Sequence, residues 1–495
     1  MLGRLRQARR KGRKLIHQYK LNGYNIVLDT YSGAIHVVDD MAYDLIEMYA
    51  AEIEKSKGAA GCAAAEAADA DNCEVSDLRE RVLQTALEKY GNSEDMKKAV
   101  NECLDDIEEL RDSKKLFTED IYEGISGDFK NNSRDIKALC LHVAHSCNLA
   151  CSYCFAGQGK YQGKSALMPL EVGKRALDFL VENSGNHTNL EVDFFGGEPL
   201  MNWDVVKELV AYGRSLEEPN HKHFRFTLTT NGVNVDDDVI EFANKEMHNV
   251  VMSIDGRKEV HDRFRVDNHG HGSYDVVVPK FQEFAKRRGE RDYYVRGTFT
   301  HENTDFVNDI LHMADLGFTK LSMEPVVCDP SSPSALTEED LPTLFSEYER
   351  LAVEMLERKK AGKPITFYHY MIDLTHGPCI YKRIAGCGSG TEYFAVTPSG
   401  ELYPCHQFVG DSKYLMGNIC DGVTNTEIQD KFRRCNVYSR RECDDCWARL
   451  YCSGGCAANA YHATGDINGV YEYGCKLFRK RIECAIMMKV AEADI

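Results

Sequence analysis

Between residues 138 and 360 short apolar runs alternate six times with amphipathic segments, and this alternation constrains the fold more than any other feature of the sequence. The apolar runs Ala138–Val143, Leu190–Phe195, Phe224–Thr229, Asn249–Ile254, Tyr293–Phe299 and Lys320–Pro325 read as strands. Helical periodicity marks Leu170–Glu182, Val205–Ser215, Asp236–Asn244, Val276–Arg287, Phe306–Leu316 and Glu338–Lys360. Six β/α units in series predict an α/β domain over 138–360 with a parallel sheet, open or curled into a partial barrel. Its ligands are expected at the carboxyl ends of the strands.

The flanks read differently. Residues 1–20 carry a cationic run from Arg4 to Lys14 without the apolar stretch a secretory signal needs, so a cytoplasmic protein is expected. Residues 21–50 alternate apolar and polar across a turn at Ser32-Gly33 and become helical from Met41, predicting a hairpin followed by a helix. An Ala-rich insert over 56–76 is expected to be a mobile excursion, and 77–115 return to charged helical periodicity. Together 21–125 form a small accessory domain. Beyond Pro364 the helical rhythm fades through a bridging region, 361–386, into a Gly- and Cys-rich tail whose fold is expected to depend on metal.

A chain of 495 residues with 43% apolar content has enough material for two or three cores. Its formal charge of −18 argues against a general nucleic-acid binder, because phosphate backbones attract basic surfaces. No apolar run reaches the roughly 18 to 20 residues of a membrane-spanning helix. The 19 cysteines are more specific. In a large intracellular chain they read as metal ligands rather than disulfides, and they crowd into 147–154 and 379–475.

Cys147, Cys151 and Cys154 form a C-x3-C-x2-C triplet just beyond the first predicted strand. Three thiolates on a short loop can hold three irons of a [4Fe–4S] cube and leave the fourth open to chemistry. A zinc knuckle lacking one ligand is the alternative reading. With Tyr153 at the aromatic position, the loop resembles the radical S-adenosylmethionine (SAM) superfamily. That resemblance implies a partial (β/α)6 barrel in which the open iron binds SAM and electron transfer to it yields a 5′-deoxyadenosyl radical. By the same resemblance Gly196, Gly197 and Glu198 stand for the site of the SAM amino group. Thr230, Asn231, Ser253 and Asp255 stand for ribose and carboxylate contacts, and Arg265 for a carboxylate partner. Read without it, these are ordinary turn formers and a surface charge.

The tail cysteines Cys387, Cys405, Cys443, Cys446, Cys452, Cys456 and Cys475 resemble, in that order, the SPASM extension of radical SAM peptide-modifying enzymes, which houses two auxiliary [4Fe–4S] clusters. The resemblance places Cys387, Cys405 and Cys456 on the first and Cys443, Cys446, Cys452 and Cys475 on the second, with a SPASM domain over 387–484 and three clusters in all. Relatives with a closed first cluster have a further cysteine shortly after the first; this chain has Gly388 to Tyr393 there. An open iron is therefore expected, with Cys379 as the alternative ligand. His406 stands where the sulfatase-maturing branch has an aspartate base, which counts against formylglycine formation; its other reading is packing. Cys62, Cys73, Cys103, Cys140, Cys328, Cys420, Cys435 and Cys484 have no motif context and receive no assignment.

Across nearly the whole chain the sequence resembles the maturases of six-cysteine ribosomal (SCIFF) peptides. The resemblance implies a winged-helix-like, RRE-like peptide-recognition domain over 21–125. It implies a cysteine-rich precursor peptide with a leader as partner, an external ferredoxin- or flavodoxin-like electron donor, and a thioether from a cysteine sulfur to an α-carbon, commonly of threonine. The other readings are an oxidative maturase that makes formylglycine, or a nonenzymatic iron–sulfur carrier or peptide-binding module.

Overall fold

A computed structural model describes residues 14–60, 70–125, 135–161, 163, 165–374 and 379–493. Three antiparallel strands open the chain, β1 (Ile16–Leu21), β2 (Tyr24–Asp29) and β3 (Ile35–Val38), in the order β1-β2-β3. The turn joining β2 to β3 spans Ser32-Gly33 as expected, but β1 begins before residue 21. Its alternation in Ile16-His17-Gln18-Tyr19-Lys20-Leu21 follows directly on the basic run and is obscured by it. Helices Asp40–Ala60, Ala70–Tyr90 and Glu94–Asp112 follow and bury Leu45, Tyr49, Val82, Leu104 and Ile107 in a small core of their own. Helix therefore continues into both flanks of the Ala-rich stretch rather than giving way to an irregular excursion; 61–69, with Cys62, lie outside the described residues.

The main sheet is built from β4 (Ala138–His145), β5 (Ala166–Leu167), β6 (Asn189–Gly196), β7 (His223–Thr230), β8 (Met247–Ser253), β9 (Tyr293–Phe299), β10 (Lys320–Pro325) and β11 (Thr366–Phe367). Strands β4, β6, β7, β8, β9 and β10 lie side by side in chain order, each parallel to the next, with helices between. All six predicted strands are present within two residues of their expected ends. The helix expected from Glu338 starts at Leu341, after a 3-10 turn whose Thr337 and Asp340 cap one another.

The two faces of this sheet differ in chemistry. Leu141, Val192, Phe194, Phe226, Val250, Val295, Leu321 and Met323 point into the helix layer and are fully buried there. The alternate positions carry Cys140, His142, Asp193, Thr227, Ser253, Arg296, Thr298 and Glu324. A parallel sheet covered by helices on both faces reads as a continuous apolar run. The polar second face is covered in part by the cysteine-rich tail, with Cys140 and Phe195 packed beside Ala395 and Phe408.

The sheet continues past β4 into the cysteine-rich tail: β12 (Tyr393–Val396) pairs parallel with β4, and β13 (Glu401–Tyr403), β14 (Gly417–Asn418) and β15 (Gly422–Val423) extend it antiparallel. The tail is more helical than its sequence predicts. A helix of 22 residues, Glu472–Ala493, runs past residue 484 and packs against helix Leu341–Lys360. It buries Leu477, Ile482, Ile486 and Met487 on several sides, so its apolar residues show no amphipathic stripe and its period is masked. No described helix is long and apolar enough to cross a membrane.

Arg449 in the tail and Asp120 in the segment after the N-terminal helices form an ion pair at 2.7 Å, with side chains 1% and 4% exposed. The Arg449 guanidinium also lies 4.4 Å from the Tyr438 ring and 5.4 Å from that of Tyr31 in the β2–β3 turn. Removing one partner leaves the other charge buried. Asp120→Ala is expected to destabilise the protein by about 3–5 kcal/mol, read as a lower denaturant midpoint; an unchanged midpoint would show the pair to be energetically idle.

Candidate active site

The Cys147–Cys154 loop leaves the carboxyl end of β4, where a parallel sheet presents its ligand sites. It is pinned on two sides. Ala150 N donates to Val266 O at 2.7 Å and Ser152 N to Phe264 O at 3.2 Å, binding it to the segment after β8. On the other side Gly197 N donates to Ala144 O and Glu198 N to Ser146 O, at 2.8 and 2.9 Å. These approaches require glycine: Gly196 has φ +126°, and a Cβ on it or on Gly197 would overlap the carbonyl oxygen of Ala144 or Ser146.

Glu198 is completely buried. Its carboxylate accepts from Leu200 N (3.0 Å), Thr230 Oγ1 (2.8 Å) and Asn231 N (2.7 Å), tying the end of β6 to that of β7. Asn231 Nδ2 in turn donates to Asn148 Oδ1 at 2.8 Å and faces Cys147 Sγ at 3.6 Å. Asp255, also completely buried, accepts from Arg265 Nε (2.9 Å) and Nη2 (3.1 Å), from Thr298 N (3.0 Å) and from the Tyr153 hydroxyl. Tyr153, expected as a cofactor-binding residue at the aromatic position of the motif, anchors the cysteine loop through its hydroxyl. Arg265 and Asp255, expected separately as ligand contacts, pair with each other. Ser253 ends β8 on the polar face, in register with Arg296.

Burial pushes the Cys147 thiol up to about 12 and that of Cys151 up to about 11, the latter against the pull of Arg265. A metal filling this loop must displace protons.

The tail cysteines fall into two groups. Cys387 and Cys405 flank the β12–β13 hairpin, and Gly390 N and Ser389 Oγ both donate to Pro404 O at 3.0 Å, drawing the two together. Cys456 caps helix Ala457–Thr464, which is held by Tyr461 donating to Asp411 at 3.1 Å and by Phe408 against Tyr461 at 5.8 Å. These three thiols lie close enough to perturb one another electrostatically. Cys443, Cys446, Cys452 and Cys475 line one cavity of about 190 Å³ with Arg449, Phe478 and Arg479. Burial raises the Cys475 thiol, while Arg479 and Arg440 favour its thiolate. Among the described residues no three His, Cys, Asp or Glu side chains converge as the ligands of one ion would. His406 packs against Phe195 and Phe155, ring centroids 5.1 and 5.6 Å away, and burial pulls its imidazole down to about 4.

Residues 141–305 match the Radical SAM superfamily. The matched segment starts on β4 and ends after β9, so it contains the triplet, Glu198, Asn231, Asp255 and Arg265. Among similar proteins, the cysteine-type anaerobic sulfatase-maturating enzyme of Clostridium novyi (strain NT) is 24% identical over 347 residues, 66% of this chain and 89% of that protein. The radical SAM cyclopropyl synthase TigE of Paramaledivibacter caminithermalis is 23% identical over 433 residues, 83% of this chain and 82% of that protein. The fold resembles that of native anSMEcpe with bound AdoMet and Cp18Cys peptide, with a TM-score of 0.59 and 22% identity over 73% of this chain and 100% of that one.

Several contributors escaped the sequence. Tyr161 donates to Gly196 O at 3.1 Å and stacks on His145 at 4.9 Å, beneath the cysteine loop. His142 meets His145 at 3.1 Å between ring nitrogens, and burial holds both imidazoles below their usual range. The His142-Val143-Ala144-His145 spacing in a buried strand was the available signal.

Glu198 supports a pH prediction. Burial outweighs its three hydrogen bonds and lifts the carboxyl from 4.5 to about 7. Between those values the unfolded chain has released the proton and the folded chain retains it, so stability falls as pH rises through the window, by about 3 kcal/mol. Urea unfolding of the metal-free protein at about pH 5 and about pH 8 should show wild type losing this increment relative to Glu198→Gln; parallel pH profiles would contradict it.

Proposed function

We propose that this protein is a radical SAM peptide maturase that joins a cysteine sulfur to an α-carbon, commonly that of threonine, in a cysteine-rich precursor peptide. The observation that carries the reading is the division of the cysteines: a three-thiol loop at the carboxyl end of β4, a three-thiol group formed by Cys387, Cys405 and Cys456, and four thiols lining one cavity. This donor set fits three [4Fe–4S] clusters, one open for SAM, one open for substrate and one fully ligated. Cys379 caps the short helix Ile380–Ala385 and is the alternative fourth ligand for the second site.

Thioether formation takes a hydrogen atom from the α-carbon and a proton and an electron from the thiol; when bound, SAM and the clusters would supply the hydrogen-atom acceptor and the electron acceptor, and water the proton acceptor. The chain's own residues bind, orient and shield. Cys147, Cys151 and Cys154 would hold the cluster, with Asn231 facing Cys147 Sγ and the Asp255–Arg265–Tyr153 network fixing the loop. Glu198, buried without an ion pair among the described residues and holding its proton up to about 7, would give that proton up to pair as a carboxylate with the SAM ammonium. Gly196, Gly197, Thr230 and Ser253 shape the adjoining strand ends. Cys387, Cys405 and Cys456 would hold a second cluster with one position free, which could bind a peptide thiol and favour its thiolate.

Residues 21–125, with β1 added, serve in this reading as the peptide-recognition domain. Strand β3 is one of the two edges of the sheet, and an extended leader can add to it by backbone hydrogen bonds. An external one-electron donor completes the system, and a cytoplasmic setting suits its reduced thiols. The sulfatase-maturating relatives favour a second reading, formylglycine formation, against which His406 stands where that branch uses aspartate.

Mass spectrometry separates the two. Reconstituted protein with SAM, reductant and a synthetic cysteine-rich peptide is expected to give a product lighter by two hydrogens whose cysteine resists alkylation. An aldehyde in place of the cysteine thiol, or an unchanged peptide, would refute thioether formation.

A further inference from the structure

On β9 the polar face of the sheet carries Tyr294, Arg296 and Thr298, while Tyr293, Val295 and Phe299 are buried against the helices. Arg296 is 49% exposed. Its guanidinium makes no hydrogen bond among the described residues, and its one ion pair, to Glu324 on β10, is long at 3.9 Å. Glu324 is already engaged: His369 Nε2 lies 2.9 Å from the same oxygen. A second guanidinium, Arg481 of helix Glu472–Ala493, acts on Glu324 as well, and its Nε and Nη1 are buried without a hydrogen-bond partner. The patch therefore sets two cationic guanidinium groups against one carboxylate, in a chain whose formal charge is −18.

Its border is apolar. The Tyr294 ring meets Tyr368 edge-on at 5.3 Å and its hydroxyl contacts Met371 Sδ at 3.3 Å; Tyr368 and Met371 are 53% and 57% exposed. An accessible arginine framed by aromatic and methionine side chains is the composition of a recognition hot spot.

We infer that Arg296, with the Tyr294–Tyr368–Met371 rim, binds an acidic side chain of the peptide substrate and so sets which residues reach the reacting atoms. Arg296 is in register with Ser253 at the carboxyl end of β8, so a carboxylate held on it lies beside the strand ends that carry the SAM-side groups. The inference rests on the peptide-maturase reading and adds the chemistry of the residue recognised.

Fluorescence anisotropy tests it on the reconstituted protein, with a labelled synthetic cysteine-rich peptide containing glutamate and its glutamine counterpart as probes. Wild type should bind the glutamate peptide at least about tenfold more tightly, a charge-assisted hydrogen bond's contribution. Arg296→Ala should abolish that preference and Arg296→Lys restore part of it, while iron content and thermal midpoint stay at wild-type values. Equal affinity of wild type for both peptides, binding of neither, or a preference that survives in Arg296→Ala would overturn the inference. Because binding is read without turnover, a peptide that binds through Arg296 yet is never cross-linked would refute thioether formation alone.

Discussion

The arrangement around the cysteine loop depends on the buried carboxylate of Asp255. It receives both faces of the Arg265 guanidinium edge, the Thr298 amide and the Tyr153 hydroxyl, with no exposure to solvent. One anion thereby fastens the ends of β8 and β9, the segment that continues to Phe264 and Val266, and the loop holding Cys147, Cys151 and Cys154. A buried carboxylate is costly unless its lone pairs are filled. Here four donors fill them, and the cysteines are presented by a preformed frame. Glu198 repeats the device across β6 and β7, with neutral donors in place of arginine.

A second frame joins the cysteine-rich tail to the rest. Strand β12 extends the main sheet beside β4, so the hairpin carrying Cys387 and Cys405 is fixed to the strand that leads into Cys147. The Cys443–Cys452 segment is held by the N-terminal region. His17 of β1 stacks on Trp447 with centroids 3.8 Å apart, and Arg449 reaches Asp120 and Tyr31. Both residues lie between Cys446 and Cys452, so this loop is also a docking surface for the N-terminal sheet.

The main fold was legible because β/α alternation is a local signal: each predicted strand of the main sheet is present, and helix Leu170–Glu182 has the expected ends. The interleaved division of the tail cysteines came from the family resemblance, because spacing alone would place Cys456 with Cys452. Less legible were features that need a distant partner. Strand β1 is recognisable only once β2 pairs with it. Helix Glu472–Ala493 loses its amphipathic stripe because it is buried on several sides. Arg265 and Asp255 were each expected to face a ligand, whereas their separation of ten residues hid their bond with each other. Arg296 carries no motif and becomes visible only through exposure and missing partners.

The most direct measurement is anaerobic quantification of iron and acid-labile sulfide in wild type and in a Cys147/Cys151/Cys154→Ala variant, with 5′-deoxyadenosine formation from SAM followed in both. Three [4Fe–4S] clusters predict about twelve irons in wild type, about eight in the variant, and SAM cleavage only in wild type. Zinc in place of iron, or no SAM cleavage by the iron-loaded wild type under strong reduction, would contradict the account.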